Sequence, residues 1–321
     1  MSGGAASGPT VVALGGGHGL AVSLTALRQV AGRLTAVVTV ADDGGSSGRL
    51  RAELGCLPPG DLRMALAALC GDDDWGRLWA RVLQHRFTGD GSLQGHAVGN
   101  LLIVALWQLL DDTVEGLDYV GRLLGAQGRV LPMAVQPMDI AADVVDDHGR
   151  THAVRGQVAV ATARGRVDGV HLVPQAPTAC AEAVTAVEEA DWVVLGPGSW
   201  FTSVLPHLLV PGLRDALVGT GARRLVALNL APQPGETSGF SPERHLEVLA
   251  EHAPDLRLDV VLADGAQVAD SKELARAAQG LGADLVLAPL AAGDGTARHD
   301  PALLAHAYAE VMGRGRIAPW R

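Results

Sequence analysis

Residues 11–20 read Val-Val-Ala-Leu-Gly-Gly-Gly-His-Gly-Leu, an apolar run that breaks into four glycines within five positions and resumes as a helical pattern. A helix opening on bare glycine N–H groups is an anion site, because its first backbone donors lack intrahelical acceptors and its dipole favours negative charge. Gly15, Gly16, Gly17, His18 and Gly19 are therefore candidate phosphate-binding residues. Residues 37–49 repeat the design as Val-Val-Thr-Val-Ala-Asp-Asp-Gly-Gly-Ser-Ser-Gly-Arg. Its adjacent carboxylates, Asp42 and Asp43, suit a divalent cation such as magnesium bridging to phosphate. They lie equally where an acidic residue reads a ribose hydroxyl in a dinucleotide fold, or where Asx residues cap a solvated turn. Gly44, Gly45, Ser46 and Ser47 add backbone and hydroxyl donors, and Arg49 adds a guanidinium able to clamp phosphate. The two turns describe a site for something phosphorylated.

Two later loops share that address beyond the carboxyl ends of strands. Gly196-Pro197-Gly198-Ser199-Trp200-Phe201-Thr202-Ser203 follows an apolar strand and offers the glycines Gly196 and Gly198 and the hydroxyls of Ser199, Thr202 and Ser203. Asn229-Leu230-Ala231-Pro232-Gln233-Pro234-Gly235-Glu236-Thr237 is a rigid polar loop and offers Asn229, Glu236 and Thr237. His96-Ala97-Val98-Gly99-Asn100 opens a helix, with His96 as a cap or packed side chain and Asn100 as a candidate ligand-binding residue.

The elements that must hold these loops alternate along the chain. Apolar runs and helical periods predict a strand over 11–14, a helix over 19–31 and a strand over 35–41. Pro58-Pro59-Gly60 halts what precedes it, and Asp61 is the expected N-cap of a helix over 62–69. Another helix runs from Gly99-Asn100 through 101–110. Residues 129–174 hold short β-like runs, among them Val158-Ala159-Val160 and Val170-His171-Leu172-Val173, between turn signals. Alternation then resumes with helix 177–190, strand 192–195, strand 224–230, helix 242–253, strand 257–263, helix 271–281, strand 284–289 and helix 300–313. The expected fold is α/β: a three-layer, Rossmann-like, mostly parallel sheet with helices on both faces and a small antiparallel β insertion at about 129–174. Residues 1–9 read as a flexible tail, and 10–321 as a single nucleotide-binding domain.

Composition excludes several functions. A formal charge of −10 argues against nucleic-acid binding, since phosphate backbones reward clustered cations. Lys272 is the sole lysine and sits in a polar helix start, so no Walker, Schiff-base or kinase-type lysine is available near a glycine loop. The dinucleotide fingerprint G-x-G-x-x-G/A counted from Gly15 fails at Leu20, and no H-E-x-x-H or G-x-S-x-G element occurs. Cys56, Cys70 and Cys180 lack C-x-x-C spacing and read as reduced thiols of a cytoplasmic protein. No apolar run approaches the ~20 residues of a membrane span.

Several of these segments together resemble the gluconeogenesis factor family, within the 2-phospho-L-lactate transferase-like superfamily. The resemblance rests on Gly15-Gly16-Gly17-His18-Gly19, where the family commonly has Thr at the fourth place, and on residues 38–50. It also rests on Leu57-Pro58-Pro59-Gly60-Asp61-Leu62-Arg63, Gly99-Asn100-Leu101, Leu195-Gly196-Pro197-Gly198-Ser199, Gln233-Pro234-Gly235-Glu236-Thr237 and Arg298-His299-Asp300. It implies a cytoplasmic factor needed for cell shape and for growth on gluconeogenic carbon sources, binding UDP-sugars such as UDP-N-acetylglucosamine. It further implies control by a serine/threonine kinase and places Arg298 among the nucleotide-binding candidates; a homo-oligomer is expected. The transferase relatives use magnesium to join a nucleotide-activated phosphorylated acid to an acceptor. They share Ala41-Asp42-Asp43 and an acidic turn like that at Asp61, while their Gly-Pro-Ser-Asn loop differs from Gly196-Pro197-Gly198-Ser199. Two readings stand open. One is a non-catalytic, nucleotide-sugar-responsive regulator; the other is a transferase with Asp42, Asp43 and Asp61 on magnesium.

Overall fold

Thr10–Gly15 forms β1, and its sequence explains its place. Val11, Val12, Ala13 and Leu14 are all buried, so both faces of the strand must be covered, which only an interior parallel strand satisfies. The structure, a computed structural model, describes residues 8–146 and 148–313. After β1 come α1 (Gly17–Leu27), β2 (Arg33–Val38), α2 (Gly45–Leu54), α3 (Gly60–Ala68), α4 (Asp74–Gln84), α5 (Val98–Leu110), α6 (Thr113–Leu124) and β3 (Arg129–Pro132). The middle holds β4 (Asp139–Val145), β5 (Thr151–Arg155), α7 (Gln157–Ala161) and β6 (Arg166–Val173). The remainder is α8 (Ala181–Glu188), β7 (Trp192–Leu195), a π-turn (Trp200–Val204), α9 (Pro206–Leu209), α10 (Pro211–Gly219) and β8 (Arg223–Ala227). It closes with α11 (Pro242–His252), β9 (Val260–Asp264), α12 (Ser271–Gly280), β10 (Asp284–Ala288) and α13 (Pro301–Gly313).

Seven parallel strands make the main sheet in the order β10-β9-β8-β7-β1-β2-β3. The order reverses at β1, so crossovers leading away on its two sides place their helices on opposite faces. Accordingly α1 packs against α3 and α13, while α8 packs against α10 and α11 against α12. A separate three-stranded antiparallel sheet, β5-β4-β6, forms the wing. Fold class and helical layers agree with the sequence expectation.

Three local expectations are corrected. Residues 129–132 belong to the main sheet, paired parallel to β2 from Thr35↔Arg129 to Val38↔Pro132, so the antiparallel wing begins at β4. Val158-Ala159-Val160 lies in helix α7 and not in a strand. Asp61 is not the N-cap of α3; Pro59 takes that position and Asp61 falls in the first turn. The tail expectation falls on residues 1–7, outside the described residues, whereas Pro9 is fixed by accepting the Gly32 N–H at 2.9 Å. The turn at Asp146 likewise includes residue 147, outside the described residues.

Candidate functional site

The first glycine turn sits at the carboxyl end of β1, at the reversal of strand order. Gly17 opens α1 at φ +56°, a backbone conformation that disfavours side chains. Around it the walls are close. A Cβ on Gly16 would lie 2.5 Å from Asp61 Oδ2 and 3.2 Å from Ser203 Oγ. A Cβ on Gly19 would strike the Pro197 carbonyl oxygen and Gly198. The turn is thus wedged between α3 and the Gly196–Ser199 loop, and His18 alone of its residues is exposed. Asp61 accepts a hydrogen bond from Gly17 N–H, so a carboxylate from α3 already stands at the helix N-terminus where the dipole favours an anion.

The second turn divides its residues between two tasks. Asp42 stays near Asp61: its Oδ1 accepts from Gly44 N–H at 2.9 Å, and its Oδ2 lies 2.9 Å from where a Cβ on Gly60 would stand. Asp43 turns the other way. Its Oδ1 accepts from Val158 N–H at 3.0 Å, so it anchors the start of α7 from 115 residues away. Ser46 is buried as a hub, 3.1 Å from His96 Nδ1 and accepting from Asn100 Nδ2 at 3.0 Å. Asn100 is itself buried and holds this hub. Ser47 is buried against Gly60. Gly45 is exposed, and Arg49 is exposed on α2 with its guanidinium on the Gln94 carbonyl at 2.5 Å.

The third and fourth loops lock onto each other. Glu236, 5% exposed, receives the Ser199 hydroxyl at 2.6 Å, the Thr202 hydroxyl at 2.7 Å and the Phe201 N–H at 3.2 Å. Each hydroxyl has one proton, so Ser199, which is half-buried, meets any ligand as an acceptor rather than a donor, while Thr202 is buried. Asn229 clamps Gly198 at both ends, accepting its N–H at 2.9 Å and donating to its carbonyl at 2.7 Å. Thr237 is fully buried and closes its own loop by accepting from Gln233 N–H. Gly196 adopts φ +73° where the chain leaves β7. Arg298 is exposed on the segment between β10 and α13, next to His299, which interacts with the Leu228 backbone at the end of β8 and with Asp264, and Asp300 after it caps α13 through the N–H groups of Ala302 and Leu303.

Helix α7 joins the two halves of the site. Asp43 holds its first turn, and a Cβ on Gly235 would strike the Ala161 carbonyl at its other end. Losing an N-terminal cap of this kind costs about 1 kcal/mol, a large share of what holds a five-residue helix. Asp43→Ala is therefore expected to speed amide hydrogen exchange at Val158–Thr162 by about tenfold or less, leaving β1 and β7 unchanged. Equal exchange in the variant would show that the wing holds α7 without the cap.

Electrostatically, Asp61 is the outlier. Burial, with the Asp42 carboxylate next to it, pushes its pKa up to about 7, against the Gly17 hydrogen bond and the Arg63 charge. Arg63 is buried two residues along α3, donates to Gln84 Oε1, and is pushed down to about 10 by its burial. Arg63 is the member that motif reading left without a role. The signal was there for Arg63, an arginine two positions after Asp61 in an otherwise apolar helix. Among the described residues no three His, Cys, Asp or Glu side chains converge to hold a metal. Asp42 and Asp61 remain as a pair, and one or two carboxylates completed by phosphate and water are the usual protein share of a magnesium site.

These features coincide with a known family. The description "2-phospho-L-lactate transferase CofD" matches residues 11–288, a span that includes all four loops. This chain belongs to that family. Within it, a Mycobacterium leprae protein bearing the gluconeogenesis factor name is 55% identical over 307 residues, covering 94% of this chain and 85% of the relative. The "Gluconeogenesis factor" of Listeria monocytogenes is 39% identical over 254 residues, covering 79% and 77%. A crystal structure of a UPF0052 family member from Bacillus halodurans superposes with a TM-score of 0.83 at 33% identity, covering 94% of this chain and 98% of that one. The chain therefore sits in the gluconeogenesis factor branch of the CofD family and shares its α/β fold. No helix of the described residues is long and apolar enough to cross a membrane.

Proposed function

We propose that this CofD-family chain is a nucleotide-sugar-binding factor that takes a UDP-sugar at its glycine loops and serves regulation of carbon metabolism and cell shape. The observation that supports the reading is the N-terminus of α1, whose glycine backbone at Gly17–Gly19 stands between Asp61 and the Gly198 loop at the reversal of strand order, a position where backbone donors and the helix dipole favour an anion. The Ser199 hydroxyl, left as an acceptor by Glu236, adds to it, because a sugar hydroxyl can donate to it. Cytoplasmic location, self-association and control by a serine/threonine kinase accompany this reading. Calorimetric titration with UDP-N-acetylglucosamine, with and without magnesium, is expected to give saturable binding at micromolar to millimolar ligand. Absence of heat at millimolar ligand in both conditions sinks it.

The Asp42–Asp61 pair favours a second reading, a magnesium-dependent transferase. Asp61, which burial and the neighbouring Asp42 carboxylate keep protonated to about pH 7, is poised to exchange that proton for a cation. Asp42 and Asp61 would hold the ion, which would neutralise charge developing on a transferred group. Asp61 in its protonated form donates a hydrogen bond to a phosphate oxygen; ionised, it repels one. Consumption of a nucleotide-activated phosphorylated acid with magnesium and an acceptor present, read by chromatography, separates transferase from sensor.

A further inference from the structure

The carboxyl ends of β8 and β9 frame a cavity of about 210 Å3, walled by Asn229, Phe240, His245, Asp264, Gln267 and Val268 among others. It is smaller than the roughly 300 Å3 at which sites for whole drug-sized ligands begin, so it suits one ring of a larger ligand. It adjoins the glycine loops. Asn229 belongs to its wall and at the same time grips Gly198. Gly198 in turn backs onto the first turn, where a Cβ on it would lie 3.7 Å from the Gly16 carbonyl oxygen and from Gly19 Cα.

His245 sets the chemistry of this cavity. Buried in the first turn of α11, it stands edge-on to Trp200 and Phe240, with ring centroids 5.2 and 5.4 Å apart. Its Nδ1 lies 2.8 Å from the Ser241 carbonyl oxygen. A carbonyl only accepts, so Nδ1 carries the proton. Burial pushes the imidazole pKa down and keeps the ring neutral. Nε2 is then a lone-pair acceptor, buried and with no partner among the described residues. An acceptor left so costs about 1–3 kcal/mol and is satisfied by an incoming N–H. Asp264 is the more occupied acceptor, since its oxygens already take the N–H groups of Ala266, Leu290 and Ala291. Gln267 is exposed, supplying an amide to the cavity's polar wall.

We propose that this cavity is the base subsite of the bound nucleotide, with His245 Nε2 accepting the ring N–H of an imide-type base such as uracil. A base that presents a bare ring nitrogen at that point, as cytosine does, sets lone pair against lone pair and is rejected. The subsite rests on the diphosphate reading of the glycine loops, which fixes where the rest of the ligand lies.

The test uses the full chain and calorimetry with UDP, CDP, uridine, cytidine and inorganic pyrophosphate. UDP is expected to bind about tenfold more tightly than CDP, one hydrogen bond gained against one lost. His245→Phe, which keeps the aromatic packing, is expected to bring UDP down to the CDP value and leave pyrophosphate unchanged; His245→Gln, which retains an acceptor, should restore part of the preference. Equal binding of UDP and CDP by the wild type overturns the proposal, as does an unchanged ratio in a His245→Phe protein with native thermal unfolding. If neither diphosphate nor pyrophosphate binds, the phosphate reading has failed, and the nucleosides decide the cavity alone. A uridine preference upholds it and equal or absent nucleoside binding overturns it. Should His245→Phe fail to fold, the wild-type UDP/CDP and uridine/cytidine pairs decide.

Discussion

Gly19→Val is expected to lower the melting temperature by several degrees and to weaken nucleotide binding by tenfold or more. The added side chain meets the Pro197 carbonyl oxygen and the Gly198 backbone, not a flexible side chain that can rotate away. Overpacking of that sort costs typically 1–3 kcal/mol, and here α1 or the Gly196–Ser199 loop must move to relieve it. Either movement opens the wedge that defines the site. Thermal unfolding together with UDP titration checks the expectation. A variant with wild-type stability and affinity would show that the loop yields freely, and that the close approach of the two turns is incidental to binding.

Asp61→Asn should have the opposite sign on stability and the same sign on function. The folded protein holds the Asp61 proton up to about pH 7, while the ordinary carboxyl releases it near 3.8. Across that interval the folded state binds more protons than the unfolded chain, so stability falls as pH rises, fully lost above about pH 7. The interval corresponds to at most ~4 kcal/mol, and about 2 kcal/mol once water reaching a side chain that is only partly covered is allowed for. Asparagine keeps an acceptor for Gly17 and carries no charge to desolvate. Urea unfolding at pH 8 should find the variant more stable by about 2 kcal/mol, with the gain vanishing near pH 4. Magnesium-assisted ligand binding should be lost. A variant no more stable than wild type at pH 8 would mean that Asp61 is well solvated in the folded protein. Holding a destabilising carboxylate at a helix N-terminus is what a functional site does and a structural one avoids.

The parts of this architecture that the chain spells out are those decided by neighbours in sequence. The run Val11–Leu14 and the four glycines after it announce a buried strand and a helix start without help from elsewhere. Misreadings arise where distant residues decide. Pro58-Pro59-Gly60-Asp61 has the local form of a cap at Asp61, yet packing of α3 beneath α1 draws its carboxyl to Gly17 instead. Val158-Ala159-Val160 is β-branched enough for a strand, and becomes a helical turn because Asp43, far upstream, satisfies its first N–H. The hydroxyls of Ser199 and Thr202 look like phosphate donors until Glu236, 34 and more residues on, takes their protons. Arg63 is marked locally only by its place in an otherwise apolar helix, and what buries it is the meeting of α3 and α5 at Gly99.

The order of strands has a consequence for how the molecule is made. β1 pairs with β2 almost at once, but its other neighbour is β7, with Leu14 opposite Leu195. Thr39 waits as long for the Ser203 carbonyl that ties the end of β2 to the π-turn. Ribosomal synthesis therefore delivers a first glycine turn whose companion loop is still about ten seconds or more from emerging, at usual elongation rates. During that time β1 presents an unpaired, wholly apolar edge, the kind of surface that attracts chaperones and invites aggregation. Closure of the ligand cleft is a late event in the life of the nascent chain, and a chain truncated before β7 carries half a site.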